Sequence, residues 1–111
     1  MPELDVAIEA AITAGNSILE IYEGKYKTLT KSDDSPITEA DLKSNEIIKT
    51  ILSKTKHKIL SEEDKDDQNR LSEEIIWIVD PLDGTSDFID KTGEFTVMIA
   101  LIKNKKPIIG V

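Results

Sequence analysis

The chain has 111 residues, enough for one modest domain and too few for two. Its 39% hydrophobic and 32% charged residues describe a globular chain, and its net charge of −8 excludes a nucleic-acid backbone binder, which needs a basic stripe. The absence of cysteine excludes a disulfide scaffold, a thiolate zinc site and a Cys nucleophile, and a single histidine, His57, excludes a multi-histidine metal centre.

In chain order, the first predicted element is an amphipathic helix. Leu4, Ile8, Ala11, Ile12, Gly15, Ile18, Leu19 and Tyr22 recur at three- and four-residue spacing, and Gly24 falls at the C-cap. A polar stretch, Lys31-Ser32-Asp33-Asp34-Ser35-Pro36, reads as a turn. Thr38-Glu39-Ala40-Asp41 then opens a second helix, with Leu42, Ile47, Ile48, Ile51 and Leu52 as its buried side. Short strands are expected at Lys58–Ser61 and Ile75–Val79, separated by a charged, solvated loop from Glu62 to Glu74. Phe95–Lys103 reads as a long strand, 104–106 as its turn and Pro107–Val111 as the returning strand. An apolar end at Ile108-Ile109-Gly110-Val111 would leave a raw strand edge, so the chain is expected to be the N-terminal part of something longer. The acidic N-terminus lacks the basic start and apolar core of a signal peptide, and no apolar run approaches the roughly 20 residues of a membrane span. A cytoplasmic location is expected, with peripheral association at the inner membrane as the variant; nothing sets an oligomeric state.

The chemistry concentrates in Trp77-Ile78-Val79-Asp80-Pro81-Leu82-Asp83-Gly84-Thr85, an apolar strand running into two acids and a Gly-Thr turn. A second acidic pair, Glu62-Glu63, follows the earlier strand. If the two strands are neighbours, Glu62, Asp80 and Asp83 converge at a strand-end crevice, where open α/β sheets bind ligands. Carboxylates that close repel by roughly 4 kcal/mol per pair at about 4 Å and an effective dielectric of about 20. A cation relieves this, and an all-oxygen donor set favours Mg²⁺ over zinc. Magnesium held by carboxylates works on phosphates, and Gly84 and Thr85 amides can donate to phosphate oxygens. The Thr85 hydroxyl can orient or deprotonate an attacking water if a carboxylate takes its proton, and Asp41 is the candidate.

Each residue also has a plainer role. Thr38-x-x-Asp41 is a capping box with Asp in place of Glu, Asp80-Pro81 and Asp83-Gly84 are turn chemistry, and Glu62–Asp67 is a solvated face. His57 reads as exposed, and Trp77 and Phe95 as core. Two rival motifs fail. A calcium loop from Glu62 has Asp67 where glycine is required, and a strand follows it. An aspartyl-phosphate phosphatase of the haloacid dehalogenase type needs Asp-x-Asp-Gly-Thr, whereas here its nucleophile position is Pro81. Direct attack by water is favoured over a covalent phosphoenzyme.

Taken together, Asp80-Pro81-Leu82-Asp83-Gly84-Thr85 preceded by Trp77-Ile78-Val79, Glu62-Glu63, and Pro36-Ile37-Thr38-Glu39-Ala40-Asp41 resemble the ordered motifs of the inositol monophosphatase superfamily, over essentially the whole chain. Lys31-x-Asp33-x-Ser35-Pro36, Asp83–Ile89 and Gly93–Val97 are similar to the CysQ branch, the 3'(2'),5'-bisphosphate nucleotidases, with Ser86 and Asp87 as departures. The resemblance implies an α/β (α+β) layered sandwich of the fructose-1,6-bisphosphatase type, of which residues 1–111 are the N-terminal portion and the C-terminal half is absent. It implies two or three Mg²⁺ ions held by Glu62, Asp80, Asp83 and the Leu82 carbonyl, with Asp41 and Thr85 as the water-activating catalytic pair. Gly84, Thr85 and Glu62 would face a small phosphorylated substrate, adenosine 3',5'-bisphosphate from sulfate assimilation, and lithium would inhibit. The further metal-binding Asp and most of the specificity pocket would lie in the C-terminal half. The alternatives are an inositol-1-phosphate phosphatase and an inactive acidic metal-binding fragment.

Overall fold

The computed structural model describes residues 2–24, 28–30, 36–64 and 73–111. Helix α1 (Pro2–Glu23) buries Ala7, Ala10, Ala14 and Ile18, a stripe at three- and four-residue spacing. Of the expected face, Ile18 is buried and Ala11, Gly15 and Tyr22 are half-buried, but the rest is corrected. Leu4, Ile8, Ile12 and Leu19 are exposed instead. The small alanines let α1 lie close against a second helix and the sheet beneath it, where isoleucines would hold the elements apart.

Two short strands follow, β1 (Thr28–Thr30) and β2 (Pro36–Thr38), paired antiparallel with Thr28 opposite Thr38. The sequence pattern pointed only to the turn between them; Lys31, Asp33 and Ser35 lie outside the described residues. Helix α2 (Glu39–Leu52) starts as its capping signal requires. The Thr38 hydroxyl accepts from the Ala40 and Asp41 amides, and Asp41 Oδ2 accepts from the Thr38 amide at 2.8 Å. Its buried residues are Ala40, Asp41, Ser44, Asn45, Ile48 and Leu52, whereas Leu42 is exposed. The first turns of α2 therefore turn polar side chains inward, for a reason that lies at the site.

The main sheet has the order β3 (Lys58–Ser61), β4 (Ile75–Asp83), β5 (Thr96–Lys103) and β6 (Lys106–Gly110). β3 and β4 are parallel neighbours, with Ser61 opposite Val79; β4–β5 and β5–β6 are antiparallel. The β5–β6 hairpin turns at Asn104 and Lys105, both at positive φ, the mirror-image turn that matches strand twist. The β4–β5 register breaks between Asp80 and Asp83, around Pro81, which has no N–H to give a ladder.

One face of the sheet packs on the helices through Trp77, Val79, Ile99, Leu101 and Ile109 against Ala7, Ala10, Ala14, Ile48 and Leu52. The fully buried Trp77 indole donates to Thr55 Oγ1 at 2.9 Å, so its polar edge is satisfied. Ile18, Ala40, Leu82 and Phe88 form a second cluster beside half-buried Tyr22 and Phe95. Phe88 belongs to a short helix α3 (Thr85–Ile89), which the sequence pattern showed only as a turn. Lys91, just after α3, donates to the Tyr22 carbonyl and lies 4.0 Å over the Tyr22 ring, tying α3 to the end of α1. His57 is half-buried rather than exposed, because its ring meets Glu3 at 3.4 Å. Among the described residues no helix is long and apolar enough to cross a membrane.

Candidate active site

The parallel pairing of β3 and β4 brings their C-terminal ends to one side of the sheet, and the Glu62 amide donates to the Val79 carbonyl at 3.0 Å. Glu62 and Asp80 thus emerge side by side. Half-buried Asp80 is pushed up to about 7, first by burial, then by its hydrogen bond with Glu62 and the Glu62 charge, with a smaller push from Asp83. The Leu82 amide, donating to Asp80 Oδ1 at 3.3 Å, pulls the other way and loses. Burial is the largest cause, and the neighbouring carboxyl groups add to it.

Asp83 ends β4, and the chain turns there through Gly84 at φ 90°. A side chain at 84 is excluded twice over. The conformation is left-handed, and a Cβ would sit 2.7 Å from the Glu94 carbonyl oxygen. The glycine is therefore accounted for by the packing of its own chain. The turn delivers Thr85 to the start of α3, where its hydroxyl donates to Asp41 Oδ1 at 2.8 Å. Asp41 is fully buried, and its other oxygen accepts from both the Thr38 amide and the Thr38 hydroxyl, the latter at 2.7 Å. The capping role and the link to Thr85 are thus compatible: one carboxylate oxygen does each.

Three positions were not singled out from the sequence. Ser44 Oγ donates to the Pro81 carbonyl at 2.6 Å, Asn45 Nδ2 donates to Asp64 Oδ1 at 3.1 Å, and Lys49 Nζ pairs with Asp64 Oδ2 at 2.8 Å. A signal existed: Ser44 and Asn45 lie three and four residues after Asp41, on the stripe that continues into Ile48 and Leu52.

The neighbouring carboxyl groups of Glu62 and Asp80, with Asp83 adding a weaker push on Asp80, are oxygen donors of the kind that suits a hard divalent cation. Among the described residues, no three acidic or histidine side chains are already gathered at metal-holding spacing. The fit is one of donor chemistry and charge. On the sheet face away from the helices, a groove of about 820 Å³ lined by Leu60, Ile78, Met98 and Ala100 has Glu62 and Asp80 at its edge.

Residues 2–111 match the inositol monophosphatase family. The chain is 42% identical over 113 residues to the 3'(2'),5'-bisphosphate nucleotidase CysQ of Escherichia coli K12, covering 97% of this chain and 46% of that protein. The crystal structure of CysQ from Bacteroides thetaiotaomicron, a bacterial member of the inositol monophosphatase family, superposes with a TM-score of 0.83 at 49% identity, covering 97% of this chain and 40% of that one. The extragenic suppressor protein suhB of Bartonella henselae superposes with a TM-score of 0.88 at 32% identity, covering 100% and 44%. The two-helix layer on a mixed sheet is thus the fold that these solved structures share. This chain belongs to the inositol monophosphatase family, and it spans about half the length of the curated relatives it matches.

Proposed function

We propose that this protein is an Mg²⁺-dependent phosphomonoesterase that removes the 3'-phosphate of adenosine 3',5'-bisphosphate, giving AMP and phosphate, and that these residues are the N-terminal portion of its domain. The observation that carries the reading is the Thr85–Asp41 hydrogen bond of 2.8 Å, placed one residue beyond the Asp83-Gly84 turn that ends the strand carrying Asp80. The nucleotidase choice within the family is supported by identities of 42% and 49% to CysQ proteins, against 32% to suhB.

Glu62, Asp80, Asp83 and the Leu82 carbonyl would hold two or three Mg²⁺ ions, which supply charge neutralisation at the phosphoryl oxygens and a more acidic water. Thr85 Oγ, having given its own proton toward Asp41, has lone pairs free to accept one from the attacking water. The Thr38 amide and hydroxyl hold the other oxygen of Asp41, which fixes the carboxyl group in place facing Thr85. The Gly84 and Thr85 amides face the phosphate, with Glu62 beside it. Attack by water would pass one of its protons toward Thr85 and Asp41 while its oxygen bonds to phosphorus and the P–O3' bond breaks, and the departing ribose oxygen would take up a proton from solvent.

The test is phosphate release from adenosine 3',5'-bisphosphate and from inositol 1-phosphate, each with Mg²⁺ and with chelator. Faster, Mg²⁺-dependent release from the nucleotide supports the reading. Equal rates would remove the nucleotidase assignment, and Mg²⁺ binding without turnover on either substrate would leave a non-catalytic metal-binding chain.

A further inference from the structure

We propose that α2 is the alignment element of this site, with Ser44, Asn45 and Lys49 as positioning residues; the inference deepens the metal-site reading above and rests on it. Three side chains of the first two turns, Asp41, Ser44 and Asn45, bond three separate segments of the site. Asp41 takes the Thr85 hydroxyl, Ser44 takes the Pro81 carbonyl, and Asn45 takes Asp64. At positions i, i+3 and i+4 they share one helical face within about one 5.4 Å turn, so their spacing is set by a rigid rod.

Each bond falls where the sheet gives no support. Pro81 lies between the candidate ligands Asp80 and Leu82, in the stretch where β4 and β5 lose register. Its carbonyl accepts a hydrogen bond from fully buried Ser44. Glu62 and Glu63 lie in a turn closed by the Asp64 amide on the Ser61 carbonyl at 3.1 Å. Asp64 fixes the far end of that turn. Both of its carboxylate oxygens are engaged, one by Asn45 and one by Lys49, so it serves as a strut. Asn45 is held there although its buried Oδ1 has no partner among the described residues. A helix face that only filled the core would carry apolar residues at 44 and 45, as it does at Ile48 and Leu52. Groups that orient ligands typically change metal affinity 10- to 100-fold when removed.

The probe is Mn²⁺ bound in place of Mg²⁺, followed by electron paramagnetic resonance of the free ion, beside amide hydrogen exchange of the metal-free protein. Ser44→Ala is expected to weaken Mn²⁺ about tenfold and speed exchange at Leu82; Asn45→Ala should do the same at Asp64. Lys49→Met keeps the fold intact, since Lys49 is 44% exposed. Charge alone says that losing this cation tightens Mn²⁺ binding, whereas positioning says that binding weakens severalfold. Tighter or unchanged binding in Lys49→Met, with exchange at Asp64 unaltered, overturns the inference while leaving the metal site standing. A wild-type protein that binds no Mn²⁺ at millimolar concentration overturns both.

Discussion

Replacing Asp80 by Asn should stabilise the metal-free protein at neutral pH while removing its response to Mg²⁺. Asp80 is raised from 3.8 to about 7 by burial and by Glu62. At about 1.4 kcal/mol per tenfold change in a protonation equilibrium, that is about 4 kcal/mol counted whole. Solvent still reaches the half-buried carboxyl, and screening reduces the figure to about 1–2 kcal/mol. The sign follows from proton binding. Between about pH 4 and 7 the folded protein holds a proton at Asp80 that the unfolded chain has lost, so stability falls as pH rises through that window. The penalty is complete above about pH 7 and absent below about pH 4. An asparagine carries no such penalty, and its Oδ1 can still accept from the Leu82 amide.

Thermal unfolding in chelator at pH 8 should therefore show Asp80→Asn melting about 4–10 °C above the wild type, with the gap closing toward pH 4. Mg²⁺ at about 100 times its Kd should raise wild-type stability by about 2.7 kcal/mol and leave the variant unmoved, so the order of the two melting curves reverses. A variant that melts lower than the wild type in chelator at pH 8 would refute the reasoning. Asp80 would then be held by attraction, and the argument for a cation would lose its electrostatic basis.

Gly84→Ala should cost at least about 2 kcal/mol by urea unfolding, because φ 90° and a Cβ 2.7 Å from the Glu94 carbonyl strain the chain together; a loss under about 0.5 kcal/mol would contradict the close approach. Thr85→Ala should lower turnover by at least about 100-fold while metal affinity stays within about twofold, since its hydroxyl engages Asp41. Wild-type turnover in that variant would exclude Thr85 from water activation. Asp83→Asn should abolish turnover and weaken Mg²⁺ binding together, checked by phosphate release and titration calorimetry on the same preparation.

How far the site could be read from the residues depended on the distance over which each signal acts. The capping box at Thr38 and Asp41 is local, and it formed as its spacing required. The Glu62–Asp80 meeting rested on one condition, that the strands ending at Ser61 and Val79 be neighbours, and the parallel β3–β4 ladder satisfies it. Periodicity placed α1 and the burial of Ile18, but not the rest of its inward face. Hydrophobicity favours Ile8 and Ile12, whereas close packing on α2 and the sheet selects Ala7, Ala10 and Ala14. The polar face of α2 was hidden for a deeper reason. Ser44 and Asn45 are tolerable in the interior only because the Pro81 carbonyl and Asp64 accept their hydrogen bonds, and those partners lie 37 and 19 residues away. A local pattern can show that a buried serine breaks an apolar stripe, but only the tertiary partner explains why it is stable there. A polar residue on the otherwise apolar face of a helix that also carries a candidate catalytic acid is therefore best read as a pointer to the loops that face packs against.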